Sequence, residues 1–454
     1  MGRIGKECPL KLTSGGPGWH ATLGRKARPE RLTVPTRTNP PGMPTNRPGQ
    51  ASDSTSLSTT SMTMNRREWL AASSTLLAAA CARPSESAIS SNGAPVERPD
   101  IPSMMQLASV PGMAIATVRG GDVSVEGFGL RRAGTDDTVT GDTVFEAASL
   151  SKPVFASIVM QLAAEGLIDL TRPLVSYLPL PNPADERARS ITAIHVLSHS
   201  SGWRNWRNGR DVALTADFEP GSKFSYSGEG YFFLQRVVEK LTGQGLSRLA
   251  RDRVFQPLGM TASGYIWRSD LDAALASPHT NRGQLMDSFN VRSGKAFAGL
   301  VEEMGKPVDA WTTEDVEKAL PKMDAAIAVL PNNMVPNAAA SLLTTARDYG
   351  MFVRWLFGAG PLSGGRGILD RMIVQRSTIN PALGWGAGIG LEQAGGRKYI
   401  WHWGDNPGFK NFIVGEPAAR SAIVLFTNGN AGQRVYERVI RARTGVDHPA
   451  FLWL

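Results

Sequence analysis

The chain has 454 residues, 42% hydrophobic and 20% charged, a globular composition with length for one large domain or two ordinary ones. Its formal charge of +9 is uneven: residues 1–81 hold eleven Lys and Arg against four Asp and Glu, leaving 38 basic and 36 acidic residues in the remainder. The remainder is nearly neutral, which gives no support for a nucleic-acid partner.

Residues 1–63 are rich in Pro, Gly, Ser and Thr without an apolar period, and are expected to be a disordered leader, or to lie upstream of the true start. Met64 opens a second leader, Asn65-Arg66-Arg67-Glu68-Trp69-Leu70 followed by the small apolar run Ala71 to Ala80. Twin arginines before a short, weakly apolar run resemble a bacterial twin-arginine export signal over residues 64–81, and the run is too short to span a bilayer. The expectation is an exported, periplasmic or membrane-anchored protein. Leu77-Ala78-Ala79-Ala80-Cys81 is similar to a lipoprotein processing box with its leucine one residue early, and Ala78-Ala79-Ala80 suits an ordinary signal peptidase equally. Membrane anchoring through a lipidated Cys81 therefore stays open. The other cysteine, Cys8, precedes this leader, so a processed chain has no pair to oxidise.

Residues 82–100 read as a polar linker before one domain over residues 101–447, with a helical lobe at roughly 165–345. Gly112 to Val118 and Val123 to Phe128 flank a Gly-Gly turn and predict a hairpin. Val154, Phe155, Ile158, Val159 and Leu162 recur on one helical face, so Ser149 stands at or just before a buried helix. Short helices are expected at Ala193–Ser198 and Tyr231–Leu241. Residues 282–335 read as an inserted excursion with one helix near Glu314–Leu320, followed by a helix over Ser341–Leu356 capped by Thr344 or Thr345. Gly384–Leu391, Lys398–Trp403, Lys410–Val414 and Ala422–Thr427 read as successive strands and Gln433–Arg443 as a closing helix. The pattern predicts an α+β fold whose sheet is completed by both chain ends.

Three stretches carry candidate chemistry. In Ser149-Leu150-Ser151-Lys152, one helical turn brings the Ser149 hydroxyl and the Lys152 amine onto one face, as a nucleophile and its activator or as a helix cap and a solvated lysine. Ser151 stands beside the lysine and lacks that spacing. Tyr226, in Phe224-Ser225-Tyr226-Ser227-Gly228, is either a packing ring or a second base whose proton a nearby cationic lysine loosens. In Trp401-His402-Trp403-Gly404-Asp405, strand alternation puts His402 and Gly404 on one face and turns Trp403 toward the core. His402 is either a satisfied structural histidine or a group that orients Tyr226 or binds substrate. His195 and His199 are spaced i, i+4 without a third ligand, and both read as structural.

The order Ser149-x-x-Lys152, Leu197-Ser198-His199-Ser200-Ser201-Gly202, Pro220-Gly221-x-x-Phe224-x-Tyr226-Ser227 and His402-x-Gly404 with Pro407-Gly408-Phe409 resembles the serine β-lactamase and penicillin-binding-protein superfamily. The resemblance is to its class C-like branch of esterases and peptidases and covers about residues 103–443. It implies a β-lactamase-like fold, a mixed, mainly antiparallel sheet flanked by helices with an inserted helical lobe. It also implies Ser149 as the acylated nucleophile, Lys152 as its activating partner and Tyr226 as general base, in either order of proton transfer. Substrate would meet His402, Gly404 and Asp405, with the oxyanion between the backbone amides of Ser149 and Asp405.

Gly228 stands where many relatives have asparagine, and His402 where many have lysine, which weighs against antibiotic and cell-wall peptide turnover and toward neutral esters. The reading is therefore an exported serine hydrolase of small carboxylic esters, acting on a small-molecule ester or amide without metal or organic cofactor. A DD-peptidase or weak β-lactamase is the alternative, and a non-catalytic binding or sensor domain a further one. A Gly-x-Ser-x-Gly nucleophile turn is absent from the sequence, which excludes the lipase-like α/β-hydrolases.

Overall fold

The structure, a computed structural model, describes residues 100–209, 212–323 and 335–454. The expectations for residues 1–63, 64–81 and 82–99 lie outside the described residues. Among the described residues ten strands form: β1 Gly112–Arg119, β2 Asp122–Gly129, β3 Val144–Glu146, β4 Leu343–Thr345, β5 Ser377–Asn380, β6 Leu383–Trp385, β7 Gly390–Ala394, β8 Arg397–Asn406, β9 Phe409–Glu416 and β10 Ser421–Thr427. Eight of them make one sheet in the order β2-β1-β10-β9-β8-β7-β6-β5, while β3 and β4 pair apart from it. The pairing of β1 with β10, Met113 opposite Thr427 through Arg119 opposite Ser421, joins the two ends of the domain one strand in from the β2 edge.

Side-chain alternation explains why this sheet is covered on both faces. On β1, Ala114, Ala116 and Val118 enter one apolar cluster, shared with the helix α2 (Ser151–Ala164), while Met113 and Ile115 enter a second behind the sheet. That second cluster takes in α1 (Ile101–Leu107), the closing helix over Gly432–Thr444, and the chain beyond it as far as Leu454. Phe155 at the centre of the first cluster is fully buried, where truncation to alanine costs about 3–5 kcal/mol.

Three expectations are revised. The helix expected from Ser341 starts at Ala346, because Leu343–Thr345 pairs with Val144–Glu146 as β4 before Thr345 caps the helix by accepting from Asp348 N at 3.0 Å. The strand expected over Gly384–Leu391 is two, β6 and β7, broken where Gly388 takes a φ of 78°. The excursion has three α-helices among its described residues, Phe289–Ala298, Val301–Met304 and Thr313–Ala319, rather than one. Each of the first and third starts at a capping side chain, Ser288 and Thr312, a local signal that outweighs the weak apolar period. The seven strand pairings within the eight-stranded sheet are antiparallel, in keeping with the mainly antiparallel sheet expected. Among the described residues no helix is long and apolar enough to cross a membrane.

Candidate active site

Ser149 sits in a single tight turn between β3 and α2, entered through Ala148 at a φ of 52°, a left-handed conformation that costs a non-glycine residue of order 1–3 kcal/mol. Neighbouring side chains hold the turn in place. Tyr349 Oη donates to Leu150 O at 2.9 Å and Tyr265 Oη to Ser151 O at 2.7 Å, while Ala147 N donates to Leu342 O at 2.8 Å. The Ser151 hydroxyl is fully buried, donating to Ala148 O at 2.6 Å and accepting from Leu342 N at 3.0 Å. Ser149 is left half-buried, with its Oγ 3.0 Å from Lys152 Nζ.

Lys152 is 1% exposed, and Nζ also donates to Ala339 O at 2.8 Å. Burial without a carboxylate partner pulls its pKa well below the usual 10.5. A neutral amine there donates one hydrogen to Ala339 and keeps its lone pair for the Ser149 proton.

Tyr226 is brought to the same place, but not in the expected electrostatic state. Lys152 Nζ lies over its ring, 4.7 Å from the centroid. Burial dominates and pushes the phenol pKa up; proximity to Ser149 pulls it down by less, and the Asp405 charge adds a smaller rise. The loosening of its proton by lysine is thus overturned: burial destabilises the phenolate. Tyr226 Oη makes no hydrogen bond of ordinary distance and angle among the described residues. The second tyrosine near Lys152, Tyr231, is committed elsewhere, donating to Leu197 O at 3.1 Å.

β8 supplies the third side. β7 pairs with β8 only as far as Gly390 opposite Trp401, so from His402 to Asn406 the strand has β9 on one side and an unpaired edge on the other. Gly404 packs against the turn that carries Ser149: a Cβ there would stand 2.3 Å from Ala147 O and 3.3 Å from the Ala148 side chain. His402 is fully buried, and its Nδ1–H donates to Trp403 O at 2.7 Å. Burial, with the Lys152 charge adding to it, takes its pKa to about 3, so the ring is neutral and Nε2 is a lone pair without a partner among the described residues. The Asp405 side chain is exposed and pairs with Lys410, so what Asp405 offers the cleft is its backbone. The indole buried as a core residue is that of Trp401; Trp403, expected there, is only half-buried and lies 4.7 Å from the Tyr226 ring.

His199 also belongs to this constellation. Its Nδ1 accepts from Ser227 N at 3.0 Å, and its ring lies 4.1 Å from that of Tyr226, so it fixes the loop that carries the tyrosine. Burial, then Lys152 and His402, hold it neutral. His195 instead caps its own helix through Thr192, and no group of three His, Cys, Asp or Glu among the described residues could hold a metal ion.

Two features escaped the sequence. At Gly228 a Cβ would stand 2.2 Å from Trp206 Cζ2, because the loop carrying that indole is strapped onto the helix start. Asn205 accepts from Gly228 N at 2.9 Å through Oδ1, and Arg207 pairs with the buried Glu229 at 2.8 Å. The glycine was legible, but nothing local announces the indole that fills its side-chain direction. The other is Glu146, whose buried carboxylate accepts from Ser288, Asn290 and Asn406 and ties the excursion to the end of β8. Burial raises its pKa against those three hydrogen bonds. A lone acidic residue at a strand end carries no sequence signal of such convergence.

The family model described as Beta-lactamase matches residues 101–445. The chain is 27% identical over 361 residues to "Penicillin-binding protein 4" of Amycolatopsis lactamdurans, covering 74% of this chain and 85% of that one. It is 33% identical over 170 residues to "Esterase EstB" of Burkholderia gladioli, 31% of this chain and 43% of that one. In structure it resembles a D-alanine carboxypeptidase AmpC from Burkholderia cenocepacia, with a TM-score of 0.58 at 20% identity over 74% of this chain and 95% of the other.

Proposed function

The chain belongs to the beta-lactamase family of serine hydrolases, and on that premise we propose that it hydrolyses small neutral carboxylic esters through an acyl-enzyme on Ser149. As Ser149 Oγ attacks the ester carbon, its proton passes to the neutral Lys152 amine 3.0 Å away. The tetrahedral oxyanion lies between the backbone amides of Ser149 and Asp405, a placement supported by the packing of Gly404 on the Ala147–Ala148 turn. Collapse breaks the bond to the leaving alkoxide, which takes a proton from the Tyr226 phenol or the Lys152 ammonium. Water then adds to the acyl carbon and gives its proton back along the same path, releasing the acid and restoring Ser149. Tyr226 Oη and His402 Nε2, both buried and unpartnered among the described residues, are available to substrate and to that water.

The observation that carries the ester reading is Trp206 against Gly228. An indole there leaves no amide side chain to hydrogen-bond a peptide or β-lactam acylamino group, and the neutral His402 offers no fixed charge to a substrate carboxylate. A cell-wall DD-peptidase is the second reading, favoured by the relative named as a penicillin-binding protein, which matches over 361 residues. The test is a panel of short-chain aryl esters, nitrocefin and D-alanyl peptides on wild type and Ser149→Ala. Higher kcat/KM for the esters supports the proposal, and D-alanine release as the faster reaction refutes it.

The leader supports a second part of the proposal, export through Arg66-Arg67 with anchoring at Cys81 as one of two processing routes. Replacing both arginines by lysine is expected to retain the protein in the cytoplasm; unchanged fractionation contradicts export by this route.

A further inference from the structure

Past residue 445, where the family match ends, the chain is pinned back onto the sheet. His448 Nδ1 meets Glu392 Oε1 at 2.5 Å, both side chains fully buried, and Ala450 N donates to Glu392 Oε2 at 3.1 Å. Phe451 then packs on Phe412 with ring centroids 4.7 Å apart. These anchors fix the last short helix, Ala450–Trp453, and with it the Trp453 indole. That ring lies edge-on to Trp403 at 5.4 Å and to Phe224 at 5.9 Å.

Those neighbours lead to the nucleophile. Trp403 lies 4.7 Å from Tyr226, the Tyr226 ring lies under Lys152 Nζ at 4.7 Å, and that amine is 3.0 Å from Ser149 Oγ. Phe224, Tyr226, Trp403 and Trp453 are each partly exposed, and Trp403 lies on the stretch of β8 beyond its pairing with β7. A run of half-wet aromatic faces beside a nucleophile favours planar apolar groups over aliphatic or charged ones.

We propose that Trp453, with Phe224, Tyr226 and Trp403, forms an aromatic subsite that binds the aryl portion of the substrate, so that the tail sets a preference for aryl over alkyl esters. This rests on the ester-hydrolase reading above for its substrate class, but not for its binding test. Boronic acids, which add reversibly to a serine hydroxyl, report the subsite without turnover. Calorimetric Kd values for phenylboronic and methylboronic acid are measured on the full chain, wild type and variants. Trp453→Ala is expected to weaken phenylboronic acid about 3- to 10-fold, the worth of one aromatic pair, and to leave methylboronic acid within twofold. Trp453→Phe should recover most of the loss, which separates a lost ring contact from a misfolded tail. Equal weakening of both acids, no change in either, or failure of phenylboronic acid to bind wild type overturns the subsite. Absence of ester turnover in wild type overturns the functional reading instead, and leaves the boronate ratio to decide this one.

Discussion

Lys152 Nζ stands 3.0 Å from Ser149 Oγ inside a site that leaves the lysine 1% exposed, and the consequences of that pair can be measured. Desolvation lowers the lysine pKa from 10.5, so the neutral base exists at lower pH than for a free amine. Activity should rise with pH through that lowered pKa and then level. Lys152→Arg, which cannot deprotonate, should lose about 10²- to 10⁴-fold in kcat/KM. A pH profile unchanged by the substitution contradicts Lys152 as the base.

The same shift links to stability. The folded pKa of Lys152 lies below its unfolded value, so its contribution is fully present above pH 10.5 and is lost as pH falls through the folded pKa. Lys152→Met removes the buried amine, so urea midpoints should fall less steeply than in wild type as pH is lowered from 10.5. Parallel curves for the two proteins refute a depressed lysine pKa.

Ser151 and Ser149 should separate cleanly by substitution. Ser151→Ala leaves Leu342 N without its acceptor and is expected to cost about 1–3 kcal/mol in stability while Ser149 still reacts with a fluorophosphonate. Ser149→Ala should do the reverse, folding normally and taking no label. Chemical denaturation and labelling read the two effects independently.

Gly228→Asn forces a side chain into the Trp206 indole and should cost about 1–3 kcal/mol from overpacking. Trp206→Gly loses packing of its own but makes room, so the double variant is expected to cost less than the sum of the two single changes and to shift kcat/KM from aryl esters toward D-alanyl peptides. Strictly additive losses show that the indole is not what excludes a side chain at 228.

Glu146→Ala should be more damaging than its distance from the chemistry suggests, since it leaves Ser288, Asn290 and Asn406 without their shared acceptor. Each unsatisfied buried group costs about 1–3 kcal/mol. The loss should appear as a lower melting temperature together with reduced kcat, because Asn406 ends the strand that carries Gly404 and Asp405.

Local spacing left Ser149, Lys152, Tyr226 and the His402-x-Gly404 strand each open to a structural reading, and only their order along the chain, with its family resemblance, marked them as one candidate site. The hairpin at Gly112 and the strands from Arg397 onward were legible from turn residues and strand alternation. What was not legible depends on residues far apart in the chain. Leu343 and Thr344 read as helix residues until Glu146 and Phe145 are known to lie opposite them in β3. The raised acidity threshold of Tyr226 comes from burial, which overrides the cation that spacing placed beside it. Trp206 at Gly228, the carboxylate hub at Glu146 and Trp453 at Trp403 are meetings across 22, 260 and 50 positions of chain, for which no periodicity exists.

The most direct test of the account is peptide mapping by mass spectrometry of the intermediate trapped with a slowly deacylating aryl ester. One acyl group is expected on the peptide carrying Ser149, lost in Ser149→Ala and kept in Ser151→Ala. An acyl group on Ser151, or undiminished ester hydrolysis by Ser149→Ala, would contradict it.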